Sequence, residues 1–507
     1  MRKFFKTVAI VTVFSVCEKF LGFLYRIYLS RSIGAEGVGV YQVALTAFAF
    51  LMTLISSGTP VTVSRLITKY RSENQPLKSA KVITAGISVT FFLAVVTVAF
   101  CYLFRGKISS LFADERCGEI FFTILPSLIF VSVYSVLRGV FWGNKDFLPY
   151  SLIELTEEIV MIISGIIIIT VTGHKAGGAF GAGVAVAVSF VASFTLAFIV
   201  FFVRKNKFRN PRSEMKNLIA ASAPVTAMRT VNSLGIAALS VILPLRLVSA
   251  GFTESQAMSL FGSAAGQAVP LLFVPSTLIT SFTLVLIPEI SENYYGKKRF
   301  ALKSNVERAL KFTTFLSCAF IPLFTVCGEE IGLIVFGSYD CGKYLTASAF
   351  LVPFIGLSGI TTSILNSVGC EKRALVYCII SGVLMLLSVW FLPKFIGIYA
   401  LLVGFSFVYV LTTILNLMLI GKKCPEKPEF AGFFLLSAVL TLPAISLGAI
   451  AEKLLLKPLG TLLCTALCTA LVTAVYLVCA LGCGLADIEF IKSEFRKKRR
   501  EKRAEGV

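Results

Sequence analysis

Thr7 to Leu29 reads TVAIVTVFSVCEKFLGFLYRIYL, an apolar stretch in which only Glu18, Lys19 and Arg26 are charged. At roughly 1.5 Å per residue a helix of this length reaches about 35 Å, enough to cross a hydrocarbon core of roughly 30 Å. Arg2, Lys3 and Lys6 precede it, and no small-residue cleavage site intervenes before a second apolar run begins near Gly37. The stretch therefore reads as a retained span rather than a signal peptide.

Twelve more runs of the same kind follow, near residues 82 to 104, 120 to 137, 151 to 173, 180 to 203, 217 to 247, 258 to 288, 309 to 335, 345 to 367, 374 to 393, 396 to 420, 430 to 451 and 460 to 482. With the run from 37 to 62 the expectation is an all-α integral membrane protein of about 14 spans. Of the 48 Lys and Arg residues, about 35 fall in alternate gaps, and only Lys19, Arg26 and Arg229 are read as lying inside a run. The basic gaps are Arg65 to Lys81, Arg138 with Lys145, Arg204 to Lys216, Lys297 to Lys311, Lys372 with Arg373, Lys422 to Lys427, and the tail from Lys492 to Arg503. Lys and Arg collect on the cytoplasmic side, so an even number of spans places both termini there. The basic tail reads as a solvated or membrane-surface anchor.

Composition excludes other classes. A content of 56% hydrophobic residues, 45 Phe and 15% charged residues, with a mean hydropathy of +0.86, does not describe a soluble globule. The net charge of +21 is what the positive-inside bias produces in a large membrane protein, so nucleic acid is not an expected partner. Most of the 13 cysteines, Cys17, Cys101, Cys318, Cys378, Cys464, Cys468 and Cys479 among them, sit in apolar runs as small hydrophobes. The single histidine, His174 beside Lys175, supports neither a zinc site nor a Ser/His/Asp triad. No catalytic residues, metal or cofactor are expected, and the absence of a GxxxxGK[ST] loop removes ATP as a direct driver.

Three pairs of segments recur at similar spacing: Gly34-Ala35-Glu36 with Gly251-Phe252-Thr253-Glu254, Ser72-Glu73-Asn74 with Ser291-Glu292-Asn293, and Gly143-Asn144-Lys145 with Gly369-Cys370-Glu371. They predict two six-span halves of like orientation, residues 1–210 and 211–425, as in transporters built from parallel repeats. Residues 426–484 would add two spans and 485–507 the basic tail. Pro60, Pro126, Pro224, Pro244, Pro270, Pro275, Pro322 and Pro353 lie in spans, where each removes a backbone donor and bends or breaks its helix. Pro270 and Pro275, in a run with Gln267, Ser276, Thr277, Thr280 and Ser281, read as a cavity wall.

Charges at bilayer depth cost roughly 2.5 to 3.5 kcal/mol on the lenient scale, so they need a cavity or a partner. Lys19 and Arg26, seven residues apart, share one face of the first span, and Arg229 lies as far beyond Lys216 as Lys19 beyond Lys6. Two readings stay open: Glu18 neutralises a neighbour while Arg26 snorkels to the interface, or the cations line an electropositive cavity for an anionic substrate. Ser151-Leu152-Ile153-Glu154 fits a capping box. Glu157, a turn deeper with Glu158, pairs with Arg138 or a bound cation, or carries a coupling proton. Glu329 and Glu330 are placed at an outer helix end.

With these residues in view, the chain resembles the stage V sporulation protein B group of the polysaccharide and lipid II flippases, within the multidrug/oligosaccharidyl-lipid/polysaccharide exporter superfamily. Lys19-Phe-Leu-Gly-Phe through Ile33-Gly34-Ala35, Ser57-Gly58-Thr59-Pro60, and Leu137-Arg138-Gly139-Val140-Phe141-Trp142-Gly143 with Pro149 and Glu157 carry the resemblance. It implies fourteen helices in two lobes around a central cavity, and passage of undecaprenyl-pyrophosphate-linked saccharide to the outer leaflet of the bacterial plasma membrane. Well-studied lipid II flippases show Arg-Asp where this chain has Tyr25-Arg26, and their cavity arginines in spans two and eight are replaced near Met52 and near Gln267 or Val269. The expected function is a flippase, working as a monomer, with Lys19, Arg26, Arg229 and Gln267 binding substrate and Glu18, Glu157 and Arg138 in coupling or ion pairing. The runner-up is a multidrug or cation antiporter of the same superfamily.

Overall fold

The computed structural model describes residues 2–173, 177–204, 207–424, 426 and 428–484. His174, Lys175 and the expected tail 485–507 lie outside the described residues. The described residues are mostly helical, with no strand among them. Apart from the five-residue helix Arg105–Ser109, the chain as far as Phe261 forms α1 (Arg2–Ser56), α2 (Thr59–Ser72), α3 (Pro76–Leu103), α4 (Glu115–Ile124), α5 (Ser127–Gly143), α6 (Phe147–Thr172), α7 (Gly178–Val203), α8 (Arg212–Ser249) and α9 (Glu254–Phe261).

Apolar side chains cover the outside as well as the inside. Val171 is 81% and Leu103 79% exposed, an arrangement that only lipid tolerates over such an area. Eleven stretches among the described residues are long and apolar enough to cross a membrane, or twelve if the bent pair α4 and α5 counts as one, against the fourteen expected. The shortfall has two visible sources. Val13–Ser72 counts once, although Gly34 (φ 73°, ψ 175°) breaks the helix inside it. Helix α6 is absent from the count, and its 26 residues carry Glu154, Glu157 and Glu158.

The prolines act mainly as helix starters. Pro60, Pro76, Pro270, Pro275 and Pro353 stand in the first turn of their segments, where the missing N–H would have had no partner anyway. Pro126 separates α4 from α5 at a 50° bend, whereas Pro224 and Pro244 ride inside continuous α8. Glu329 and Glu330 sit within the helix Phe320–Phe336 rather than at its end, which falls at the left-handed Gly337. All 13 cysteines are free.

The internal repeat shows in the backbone. Left-handed residues occur at Gly34, Asn74, Lys145 and Gly173, and again at Gly251, Lys297, Gly369 and Gly397, each pair about 217 to 224 residues apart. The second pair corrects the sequence register: Lys297, not Asn293, matches Asn74, because the helix before it runs on to Tyr295.

Two compact units result. One comprises residues 2–266 with Val389–Ile398; the other comprises Gln267–Ser388 and the described residues from Tyr399 onward. The first unit runs on through α8 and α9 because both pack against α1. Within the first unit, Tyr25, Leu29, Ile33, Val38 and Tyr41 of α1 form a core with Ile169, Ala182 and Val186 of α6 and α7. Within the second, Val326 and Cys327 pack with Ala444, Cys464, Cys468, Val472 and Tyr476. The last two spans are thereby joined to Phe320–Phe336.

Candidate functional site

Helix α1 carries the first charges because two long apolar runs are joined without a hydrophilic loop at Gly34. After that break, α1 meets α9 at very close range. A Cβ on Gly39 would collide with the Met258 carbonyl, and one on Gly262 would collide with the Ala35 carbonyl. Ala35 and Gly39, like Gly262 and Gly266, are spaced i, i+4, the small-xxx-small arrangement that lets membrane helices approach through their backbones.

Beyond α9 the chain forms a π-helical turn, Gly262–Ala268. Such turns shift carbonyls off the regular ladder and recur at functional sites. Half-buried Arg26 donates from Nη1 to the Gly266 carbonyl at 3.1 Å. Arg229 on α8 does the same at another break: its Nη1 donates to the Ser57 carbonyl at 2.8 Å, in the two-residue gap between α1 and α2. Both arginines thus satisfy carbonyls that interrupted helices leave open. A guanidinium has five N–H donors, so each keeps several for a ligand. Gln267 is fully buried in the π-turn.

The glutamates assemble around α5 and α6. Arg138 Nη1 lies 3.4 Å from Glu154 Oε1, and its guanidinium sits over the Trp142 ring at 5.4 Å. The cation therefore forms its ion pair with Glu154, while Glu157, for which the sequence left pairing with Arg138 as one of three readings, stays within its electrostatic reach. The reason is local. Helix α6 starts at Phe147 after Asp146, so Ser151 and Glu154 lie inside the helix and form no capping box; one turn places Glu154 and Glu158 on a common face. The capping box that does form is Thr253 with Gln256 at the start of α9.

Half-buried Glu18 lies within electrostatic reach of Glu154, Lys19 and Arg138, and Glu158 within reach of Glu18. Glu158 Oε1 rests where a Cβ on Gly22 would be only 2.8 Å away. Glu157 faces Ser193 of α7, and its Oε2 is buried with no hydrogen-bond partner. Lys19 is exposed on α1 and forms no ion pair with Glu18. The site thus holds four carboxyl groups against Arg138 and Lys19, while Arg26 and Arg229 are each bound to a carbonyl. Among the described residues no group of three or more His, Cys, Asp or Glu side chains is arranged to hold a metal.

Sequence reading missed Glu154 and Glu158 as members of this group. It also missed Arg246, at the end of the seventh run, which donates from Nε to the Trp390 carbonyl at 2.8 Å and stacks on that ring at 4.8 Å. The Gly-x-x-x-Gly spacing at 262 and 266 was the available signal for the π-turn seat.

Interrupted helices whose open carbonyls are taken up by arginine side chains, together with long apolar spans, are features of transporter-type membrane folds. The fold is the one seen in a lipid II flippase MurJ in its inward closed conformation, with a TM-score of 0.74 at 15% identity, covering 93% of this chain and 98% of that one. It is also shared with an inward-facing multidrug resistance MATE transporter of the MOP superfamily, with a TM-score of 0.62 at 14% identity, covering 83% and 94%. Residues 4–294 match the family described as Polysaccharide biosynthesis protein, and the chain belongs to that family. Stage V sporulation protein B of Bacillus subtilis (strain 168) is 23% identical over 466 residues, 89% of each chain.

Proposed function

We propose that this protein is a flippase that carries a polyprenyl-pyrophosphate-linked saccharide, lipid II or a polysaccharide precursor, from the inner to the outer leaflet of the bacterial plasma membrane by alternating access. The observation that carries the reading is Lys19: a lysine on the first apolar span, exposed and without an ion-pairing acid. An ammonium on a membrane span costs free energy unless water or an anion meets it. Arg26 and Arg229, each with donors to spare, would complete the hold on the pyrophosphate, with fully buried Gln267 shaping the seat. Glu18, Glu157 and Arg138 would serve coupling: Glu157, with one buried oxygen lacking a partner, takes a proton or small cation in one stage of the cycle and releases it in another. Both chain ends would be cytoplasmic, and the protein would act as a monomer.

Clustered carboxylates also suit a multidrug or cation antiporter, so the two readings are separated by experiment. Purified protein in vesicles is loaded with a fluorescent lipid-linked saccharide on one leaflet, and the label reaching the other is quenched. Lys19→Ala combined with Arg229→Ala should abolish transfer, while cation-driven drug efflux, if any, should persist. Full transfer by that double variant would sink the proposal.

A further inference from the structure

In the first unit three of the basic gaps converge on one cavity of about 680 Å³. Its walls come from the turn joining α2 to α3, the first turn of α3, Asn144 after α5, and the segment before α8. Arg71, Lys207 and Arg209 line it, all exposed, and no Asp or Glu lines it. The nearby acids are engaged elsewhere. Glu214 accepts from the Tyr70 hydroxyl at 2.7 Å and from Asn217 at 3.2 Å, Asp146 faces Arg204 at 3.7 Å, and Glu73 faces Lys69 at 4.0 Å.

The cavity is built rather than an accident of loose side chains. The Arg209 N–H donates to Thr84 Oγ1 at 3.0 Å, which fastens the segment before α8 onto α3. Arg71 Nη1 reaches the Asn144 carbonyl at 3.4 Å. Asn74 and Lys145 hold the left-handed conformation, φ 54° and 60°, that turns the two loops inward. Gln75, which lines the same cavity, has its Oε1 buried with no hydrogen-bond partner. It caps the 28-residue α3 without a side-chain hydrogen bond, with Pro76 following, so the positive end of that helix opens toward the cavity.

A merely solvated basic loop would explain three cations near a membrane surface. It would not explain a half-open cleft of ligand size or a buried amide oxygen awaiting a donor. We propose that this cavity binds a phosphate-bearing anion carried on a lipid headgroup, with the guanidinium groups of Arg71 and Arg209 forking onto phosphate oxygens, Lys207 adding point charge, and Gln75 accepting from a hydroxyl next to the phosphate. The ends of apolar spans set the ligand at headgroup level, and a headgroup that joins phosphate to a diol meets both the cations and the amide. This site lies apart from Lys19, Glu157 and their neighbours, so it stands or falls independently of the transport reading.

The test is a thermal-shift titration of the full chain in detergent with short-chain phosphatidylglycerol, short-chain phosphatidylcholine and inorganic pyrophosphate. Phosphatidylglycerol should stabilise the protein and phosphatidylcholine should not. Arg71→Gln with Arg209→Gln should raise the half-saturating concentration about thirtyfold, from roughly fivefold per surface cation. Lys107→Gln with Lys343→Gln, an equal charge loss at exposed sites outside the cavity, should change it less than about threefold. Stabilisation by pyrophosphate that the Arg71 and Arg209 changes remove, without a response to phosphatidylglycerol, would keep the phosphate site but overturn the lipid as its source. Unchanged phosphatidylglycerol binding in the double variant, or an equal loss in the control pair, would overturn the site.

Discussion

Arg138→Gln and Glu157→Gln should move stability in opposite directions, although both remove one charge from the same cluster. Arg138 is the cation that pairs with a carboxylate there, 3.4 Å from Glu154 with side chains 27% and 19% exposed. Breaking a fully buried pair costs about 3–5 kcal/mol, and an exposed pair is worth about 0–1 kcal/mol. The partial exposure puts Arg138→Gln near 2 kcal/mol, a fall of about 2 °C in Tm for a chain of 507 residues. Glu157 forms no ion pair; it is buried against Ser193 with Glu154 and Glu158 as well as Arg138 in reach, and it has one orphaned oxygen. Its replacement by Gln removes repulsion and should leave Tm unchanged or raise it by about 1–2 °C. Thermal unfolding of the detergent-purified variants measures both, and a double-mutant cycle of Arg138→Gln with Glu154→Gln should return a coupling of about 1–2 kcal/mol. If Glu157→Gln proves the more destabilising, or the cycle is additive, the assignment of Glu154 as the structural partner and Glu157 as the free carboxyl is wrong.

Two further changes probe the frame around the site. Gly39→Ala puts a methyl into the Met258 carbonyl and should cost about 1–3 kcal/mol, whereas Gly235→Ala, with nothing within 4 Å, should be neutral or stabilise by up to about 1 kcal/mol; comparison of their Tm values tests the close approach of α1 and α9. Tyr70→Phe removes the 2.7 Å hydrogen bond to Glu214, which is only 4% exposed, and should cost about 1–3 kcal/mol by chemical or thermal unfolding.

Hydropathy made the membrane architecture legible because burial in lipid acts on every residue of a span. Single-residue punctuation was also readable: Gly34 ends the first span, and Pro126 marks a bend. What escaped was phase. The motif Ser151-x-x-Glu154 looks like a helix start only if nothing helical precedes it, yet Phe147 to Tyr150 already belong to α6, and that shift decides which glutamate meets Arg138. The carbonyl seat for Arg229 was out of reach because it is made by backbone at a distant break, which no side-chain pattern announces.

The recurring left-handed turns carry a last consequence. At two of the four paired positions both members are glycine, but Asn74 answers to Lys297, and Lys145 to Gly369. A lysine held at φ 55° or 60° bears roughly 1 kcal/mol of steric cost that glycine would not. Divergence has thus erased the residue while keeping the bend, which means that comparing the two halves by backbone handedness will align them where letter-by-letter matching drifts out of step.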